Sequence, residues 1–150
     1  MSQIILDPMT ILGMSNFYEK KIVRKMGATL GLLYAQQVEL KYRICVSAPL
    51  GTIEDSSNEV IARILEYESL RMRRSKNTVN FYEEYSLVGW YIMGTPRFTK
   101  GDDKKKEEIS KELIRRGAPY FLIVDAEGSQ HPKLFHEGSP CNYMTEMEPT

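Results

Sequence analysis

Residues 85–94 read YSLVGWYIMG, and this stretch is the strongest indication of the fold. From Ser86 to Met93, apolar side chains fill both alternating sets of a strand. Both faces of such a strand must be covered by other elements, which is typical of a strand in the middle of a sheet. The stretch therefore predicts a central, buried strand around which the rest of the chain is arranged.

The segments before this strand predict a helix and then a hairpin. Asp7-Pro8 is typical of a helix start, since Asp caps the first turn and Pro fits the first helical position. Residues 26–34 are small and apolar and predict a buried strand. Residues 38–47 alternate in polarity and predict a half-buried strand, joined antiparallel to the first by residues 35–37. Its inward face is expected to consist of Val38, Leu40, Tyr42, Ile44 and Val46.

Further elements follow from capping and stop signals. Ser56 and Glu59 have the spacing of a capping box, so a helix should begin there after a loop at Pro49–Asp55. Residues 103–116 predict another helix, and residues 120–124 predict another buried strand. The remaining expectations are a polar loop at residues 97–103 and short strands at residues 133–136 and 142–147.

Composition narrows the class of protein. The 150 residues suit one domain, and 42% apolar with 27% charged residues is a globular balance. Twenty basic residues cancel twenty acidic ones, which does not favour an electrostatic nucleic-acid binder. Neither a signal peptide nor an apolar run of about 18 residues is present. We therefore expect a cytoplasmic protein, with the nucleus as a second location, and reduced Cys45 and Cys141; one bridge between these two remains an alternative.

Two sets of reactive residues offer an enzymatic hypothesis. His131 and His136 beside Glu137 would supply ligands for a catalytic zinc with an open position. Their spacing fits neither one helix face nor one strand face, so solvated loop histidines are the simpler interpretation. Cys45 would need a general base nearby, and nothing in the sequence marks one. An enzyme built on these residues is therefore the weaker hypothesis.

Two basic clusters offer a nucleic-acid hypothesis. Arg71, Arg73, Arg74 and Lys76 follow each other near the end of a predicted helix, and Lys104–Lys106 form a second group. Either cluster would contact RNA phosphates electrostatically. Such clusters are more often solvated helix ends, and acidic residues follow the second one directly. An RNA-binding module using the Arg71–Lys76 patch is the alternative of another class.

The segment Val88-Gly89-Trp90-Tyr91 resembles the signature strand of the MPN (JAB/JAMM) domain family, whose active members read V-G-W-Y-H-S-H-P. Asp7-Pro8, residues 27–33 (GATLGLL) and residues 118–125 (APYFLIVD) are similar to the family's opening, first strand and post-motif strand. The resemblance implies an α/β fold of the MPN type: an α+β sandwich with a central, mostly antiparallel sheet flanked by helices. Residues 1–150 would form one MPN-like domain without the family's C-terminal bundle helices.

The resemblance also implies that catalysis is lost. Active members cleave isopeptide bonds with one zinc, held by two His after the signature strand and an Asp, with a Glu as general base. Here Ile92 and Gly94 stand at the two His positions, and the base position falls at about Arg24. Asp102, the nearest candidate for the third ligand, lies too close to the strand. The resemblance therefore implies a pseudo-isopeptidase with no zinc and no cofactor.

Inactive members of this family act as scaffolds, and the resemblance implies the same role here. Such subunits pair with a second MPN-domain protein and assemble with PCI-domain subunits. Among the complexes that contain such subunits, small sequence resemblances favour translation initiation factor three. The COP-nine signalosome and the proteasome lid are the alternatives. The docking surface is expected on two helices, at Ile11, Met14, Tyr18, Ile61, Ile64 and Met72.

Overall fold

Ser86–Gly94 forms a strand in the middle of one eight-stranded sheet, which confirms the central position that the sequence predicts. The computed structural model describes residues 3–22, 26–77, 85–101 and 103–145, and the side chains of Val38 and of residues 71–77 lie outside this description. The strands are β1 (Gln3–Leu6), β2 (Ala28–Val38), β3 (Lys41–Thr52), β4 (Ser86–Gly94), β5 (Tyr120–Asp125), β6 (Lys133–His136), β7 (Ser139–Cys141) and β8 (Met144–Thr145). The helices are α1 (Pro8–Lys21), α2 (Ser57–Asn77), α3 (Pro96–Thr99) and α4 (Asp103–Arg115).

The sheet has the order β7-β6-β5-β4-β2-β3-β1-β8 and mixes both strand directions. β2 pairs antiparallel with β3 and β4, and β6 pairs antiparallel with β5 and β7. β4 pairs parallel with β5, and β1 pairs parallel with β3 and β8. The α/β class is thus as expected, and antiparallel pairs predominate among the described strands, with four of the seven strand pairs.

The sheet curls so strongly that its two ends meet. β7 ends at Cys141 and β8 begins at Met144, yet these strands lie at opposite ends of the sheet order. Three peptide units span at most about 11 Å, because consecutive Cα atoms are about 3.8 Å apart. The sheet is therefore an incomplete barrel whose seam lies between β7 and β8.

Helices cover the sheet from both sides. α1 packs on one face through Met14 and Tyr18, which join a core that includes Tyr91. α2 and α4 pack on the opposite face and contribute to a second core around Trp90. Val60 and Ile64 come from α2, and Ile109 and Leu113 come from α4. The signature strand thus supplies residues to both cores, as a strand with two apolar faces must.

The predicted start of α1 is confirmed at atomic detail. Asp7 has an extended backbone, and its Oδ1 accepts a hydrogen bond from the Met9 N–H at 2.9 Å, while Pro8 begins the helix. The same carboxylate accepts a hydrogen bond from Arg43 Nη2 at 2.6 Å through Oδ2. Asp7 therefore caps α1 and links it to β3.

The hairpin is confirmed as antiparallel, but its details differ from the prediction. β2 continues through residues 35–37, and the turn lies at Glu39-Leu40, where Glu39 has a φ of 59°. Tyr34 pairs with Val46 and Ala35 pairs with Ile44, so Cys45 is an extra residue in a β-bulge. A bulge reverses the face on which the following side chains lie. Val46 is consequently exposed instead of facing inward with Ile44.

Two predicted loops are partly regular structure. β3 runs on to Thr52, so only the last part of Pro49–Asp55 is a turn. Residues 97–103 include most of α3 and the first residue of α4. The predicted start of the second helix is confirmed, since α2 begins at Ser57 and Ser56 Oγ accepts a hydrogen bond from the Glu59 N–H at 3.2 Å. Gly117, at a φ of 83°, follows α4 as predicted.

Candidate interaction surface

The four residues of the signature segment are structural. Trp90 is buried, stacks on Phe121 with 4.3 Å between ring centroids, and donates a hydrogen bond from Nε1 to Ser110 Oγ at 3.0 Å. Tyr91 and Val88 belong to the opposite core. A Cβ on Gly89 would overlap the carbonyl oxygen of Tyr120 on β5. The segment therefore fixes the β4–β5 contact and both cores.

Ile92 and Gly94 stand where active members of the resembling family have their two histidine ligands for zinc. The space around both residues is occupied by other parts of the domain. Ile92 is fully buried in the core that contains Trp90. A Cβ on Gly94 would lie 2.8 Å from the Gly27 carbonyl oxygen and 2.8 Å from the Ala28 Cβ. Real Cβ atoms essentially never approach a backbone atom so closely. The position of Gly94 thus has no room for a side chain of any kind. Arg24 and Asp102 lie outside the described residues.

The other reactive residues do not form a metal site within the described ranges. No group of three or more His, Cys, Asp or Glu residues there is placed to hold a metal ion. His131 and His136 line different clefts, and His136 Nδ1 lies 4.0 Å from Glu137 Oε2. Cys45 and Cys141 are thiols rather than a disulfide. The zinc hypothesis on His131 and His136 thus lacks a common site.

Three of the predicted docking residues are core residues. Met14 and Ile64 are fully buried, and Tyr18 is 5% exposed. The prediction that these three residues lie on an exposed docking face is wrong. Each belongs instead to the apolar stripe through which its helix packs on the sheet. Ile11 and Ile61 are half-buried, and the side chain of Met72 lies outside the described part.

Other apolar residues of the same helices are exposed. On α2 they are Leu65, Tyr67 and Leu70, which are 42%, 40% and 46% exposed. Tyr67 and Leu70 are three residues apart and lie on the same side of the helix, and we call these two the α2 surface. On α1 they are Met9 and Leu12. The sequence signal for Leu65, Leu70, Met9 and Leu12 is their apolar character at positions outside the core-facing stripe, whereas Tyr67 lies at the edge of that stripe, beside Tyr34.

The α2 surface lies where the helix leaves the sheet. Ile64 is buried, whereas none of the next six residues, 65–70, is buried. The helix itself continues to Asn77. Two contacts hold this part of the helix: the Tyr34 and Tyr67 rings lie 6.1 Å apart, and Tyr34 Oη donates to Glu68 Oε2 at 3.2 Å. Just beyond these contacts, Leu70 is exposed to solvent.

A charged clip fixes the start of α2 on β3. Arg63 Nη1 donates hydrogen bonds to Asp55 Oδ2 at 2.6 Å and to the Leu50 carbonyl oxygen at 3.1 Å. Partial burial raises the pKa of Asp55, but hydrogen bonds from Arg63 and the Thr52 N–H outweigh it and hold that pKa below its usual value. The first turns of α2 are therefore tied to the end of β3 and the turn that follows it.

The basic patch of the RNA hypothesis remains a prediction. The backbone of residues 71–76 is helical, but the Arg71, Arg73, Arg74 and Lys76 side chains lie outside the described part. Lys105 and Lys106 in the second cluster donate hydrogen bonds to the carbonyl oxygens of Ile53 and Thr99. These two lysines are thus engaged within the domain.

Comparison with known proteins supports the fold class alone. No protein-family model matches the chain, and no curated protein matches it. Among solved structures, the chain resembles the solution structure of protein DSY2949 from Desulfitobacterium hafniense, with a TM-score of 0.59 and 16% identity. The likeness covers 97% of this chain and 94% of that chain. It defines a mixed α/β fold over nearly the whole chain.

None of the described helices is long and apolar enough to cross a membrane.

Proposed function

We propose that this chain is a non-catalytic, MPN-like scaffold subunit that pairs with a second MPN-domain protein. The observation that carries the proposal is the environment of Ile92 and Gly94. A buried isoleucine and a glycine without side-chain space occupy the positions where active members of the resembling family hold zinc. Function then resides in surfaces rather than in a metal-dependent active site.

The α2 surface is the proposed contact with the second subunit. Tyr67 and Leu70 are exposed on the same side of α2, beyond its last buried contact at Ile64, and exposed apolar patches mark protein–protein interaction sites. Tyrosine is enriched at the centres of such interfaces, where it combines a large apolar ring with a hydroxyl. The helix supplies these side chains on a rigid support, which lowers the entropic cost of association.

The larger assembly is proposed from the resemblance. Translation initiation factor three is favoured, and the COP-nine signalosome and the proteasome lid are the alternatives within the same class. Each of these contains PCI-domain subunits, which are therefore the further partners proposed for this chain. The zero formal net charge suits a subunit held by packed surfaces better than one held by phosphate contacts.

The test is affinity purification of the tagged chain from its source cells, with identification of the bound proteins. We expect a second MPN-domain protein together with PCI-domain subunits. The variant Leu70→Glu should lose the MPN partner, because it places a charge in the apolar contact. The matched control is Leu12→Glu, which makes the same change at an exposed position on α1. Recovery of no MPN-domain protein, or equal loss with both variants, contradicts the proposal.

Catalysis is tested separately with purified protein. We expect no turnover of ubiquitin–ubiquitin isopeptide linkages and no stoichiometric zinc. Zinc content by elemental analysis and cleavage by gel assay are the two measurements. Stoichiometric zinc with turnover would replace the scaffold by an enzyme, whatever the partner experiment gives.

A further inference from the structure

A cleft of about 910 Å³ lies at the seam where the two ends of the sheet meet. Its wall includes Tyr42 from β3, Tyr120 from β5, and Tyr143 from the link between β7 and β8. All three tyrosines are half-buried and pack against the core that contains Tyr91. Mouths of barrels are common places for small-molecule sites, and this cleft is separate from the α2 surface.

The aromatic walls of the cleft are held in place by neighbouring groups. Tyr143 Oη donates a hydrogen bond to the Pro132 carbonyl oxygen at 2.5 Å. The Tyr120 ring meets the His136 ring edge-on with centroids 5.0 Å apart. Burial, with the Cys141 thiol and the Tyr42 phenol nearby, raises the pKa of Tyr120 above its usual value. Tyr120 and Tyr143 are therefore held in place by their neighbours.

Glu137 and His136 supply the carboxylate and the imidazole among the described side chains that line the cleft. Among the described residues that line it, none is a lysine or an arginine, and Glu137 is the carboxylate. The chain has twenty basic residues, so the lack of them along this wall is a local property. Such a site does not suit a phosphate or a carboxylate, and it suits a cation or a neutral group.

We propose that this cleft binds a quaternary ammonium group, carried by a small cation such as choline or by a trimethylated lysine side chain. Faces of aromatic rings attract such cations through the negative potential above the ring. A quaternary ammonium has no N–H groups that would require acceptors, so it loses little hydration on entering an aromatic wall. A primary ammonium would need hydrogen-bond acceptors to compensate for its lost water.

The experiment is a titration of the purified full chain followed by backbone amide chemical shifts. The probes are choline and the neutral dimethylbutanol in which a carbon atom replaces the nitrogen, so shape is kept and charge is removed. We expect choline to shift the amides of Tyr120, Cys141 and Tyr143. The neutral isostere should bind at least about fivefold more weakly, because the attraction requires the positive charge.

A second arm separates the two sources of the ligand. A peptide with one trimethyllysine is compared with the same peptide unmodified and with choline. Tighter binding of the trimethylated peptide than of choline identifies a methylated protein as the source. Equal or tighter binding of choline identifies a small molecule, and both results support the cation site.

Variants assign the effect to the tyrosines. Tyr120→Leu and Tyr42→Leu should each weaken choline binding by at least about fivefold, and Tyr120→Phe should keep it within about twofold because the ring face remains. Tyr67→Leu on α2 is the matched control and should bind as wild type does. Two leucine variants are used because Tyr120 is packed beneath His136, and the amide spectra report whether each one folds.

Three results overturn the proposal. The first is equal binding of choline and its neutral isostere, which means an apolar pocket. The second is the absence of shifts at the cleft with choline and with the trimethylated peptide at millimolar concentration. The third is a loss with Tyr67→Leu as large as the loss with the cleft variants.

Discussion

The ring of Tyr91 occupies the space in which a side chain on Gly31 would lie. The two residues are paired across β2 and β4, and a Cβ on Gly31 would lie 2.6 Å from Tyr91 Cζ. The same Cβ would lie 2.5 Å from the Ala48 carbonyl oxygen on β3. Tyr91 is fully buried, so its ring has nowhere to move. The buried position of the Tyr91 ring on β4 therefore requires a glycine at position 31 on β2.

Gly31→Ala should destabilise the domain by about 1–3 kcal/mol, since overpacking of a filled core strains side chains and backbone. One obstacle is a ring with no free space and the other is backbone, so neither relaxes easily. Chemical denaturation followed by tryptophan fluorescence measures the loss, because Trp90 is the single tryptophan and is buried.

Gly101→Ala is the matched control for this prediction. A Cβ on Gly101 meets no atom within 4 Å. Both substitutions restrict the unfolded chain in the same way, so the difference between them isolates the steric effect in the folded state. Apart from this shared effect on the unfolded chain, we expect Gly101→Ala to change the unfolding free energy by no more than about 0.5 kcal/mol. Equal effects of the two alanines would contradict the role of Tyr91.

The parts of the fold that the sequence predicts are those with local causes. The helix caps at Asp7 and at Ser56 and the doubly apolar run of β4 each depend on residues close in sequence. The stop at Gly117 is of the same kind, because a left-handed backbone favours glycine.

The parts that sequence reasoning missed depend on distant partners. The bulge at Cys45 is visible only when β3 is paired with β2, and it reverses the face of Val46. β1 is only four residues long and gains its hydrogen bonds from β3 and β8. The space around Gly94 is likewise set by β2, through Gly27 and Ala28.

The docking residues show a second limit. Regular spacing of apolar residues on a helix identifies one apolar face. For Met14, Tyr18 and Ile64, this face is buried within the domain itself. Residues that are apolar without fitting the stripe, such as Leu65 and Leu70, are the ones left exposed. Periodicity therefore predicts the core of this protein better than its partners.

Introducing the two histidines of the family that the sequence resembles should not create a zinc site. Ile92→His places an imidazole in an apolar core, and Gly94→His places a side chain against the Gly27 carbonyl oxygen. We expect the double variant to lose at least about 3 kcal/mol of stability, in the range of severe core changes. Thermal unfolding and zinc content are the measurements.

Ile92→Val is the control at the same position, and it should cost only about 0.5–1.5 kcal/mol because it removes one methylene from the core. A stable double variant that binds one zinc would show that the site lacks only its ligands. That outcome would contradict the filled geometry around Gly94.

Ile64 and Leu65 are neighbours in sequence, yet alanine should affect them very differently. Ile64 is fully buried between α2 and the sheet, so Ile64→Ala should cost about 2–5 kcal/mol through lost burial and the cavity left behind. Leu65 is 42% exposed, so Leu65→Ala should change stability by at most about 1 kcal/mol. Urea unfolding of both variants measures this pair, and similar losses would place Leu65 in the core rather than at the surface of the domain.

Asp55→Asn should make the domain less sensitive to acid. The pKa of Asp55 is lowered in the folded state, so its carboxylate contributes stability above the unfolded pKa of about 3.9, and that contribution is lost as pH falls through the lower folded value. Wild type should therefore lose more unfolding free energy than Asp55→Asn between neutral pH and about pH 3. In an Arg63→Met background, the two should differ much less, because the main hydrogen bond to Asp55 is absent. An unchanged difference in that background would mean that Arg63 does not stabilise the carboxylate.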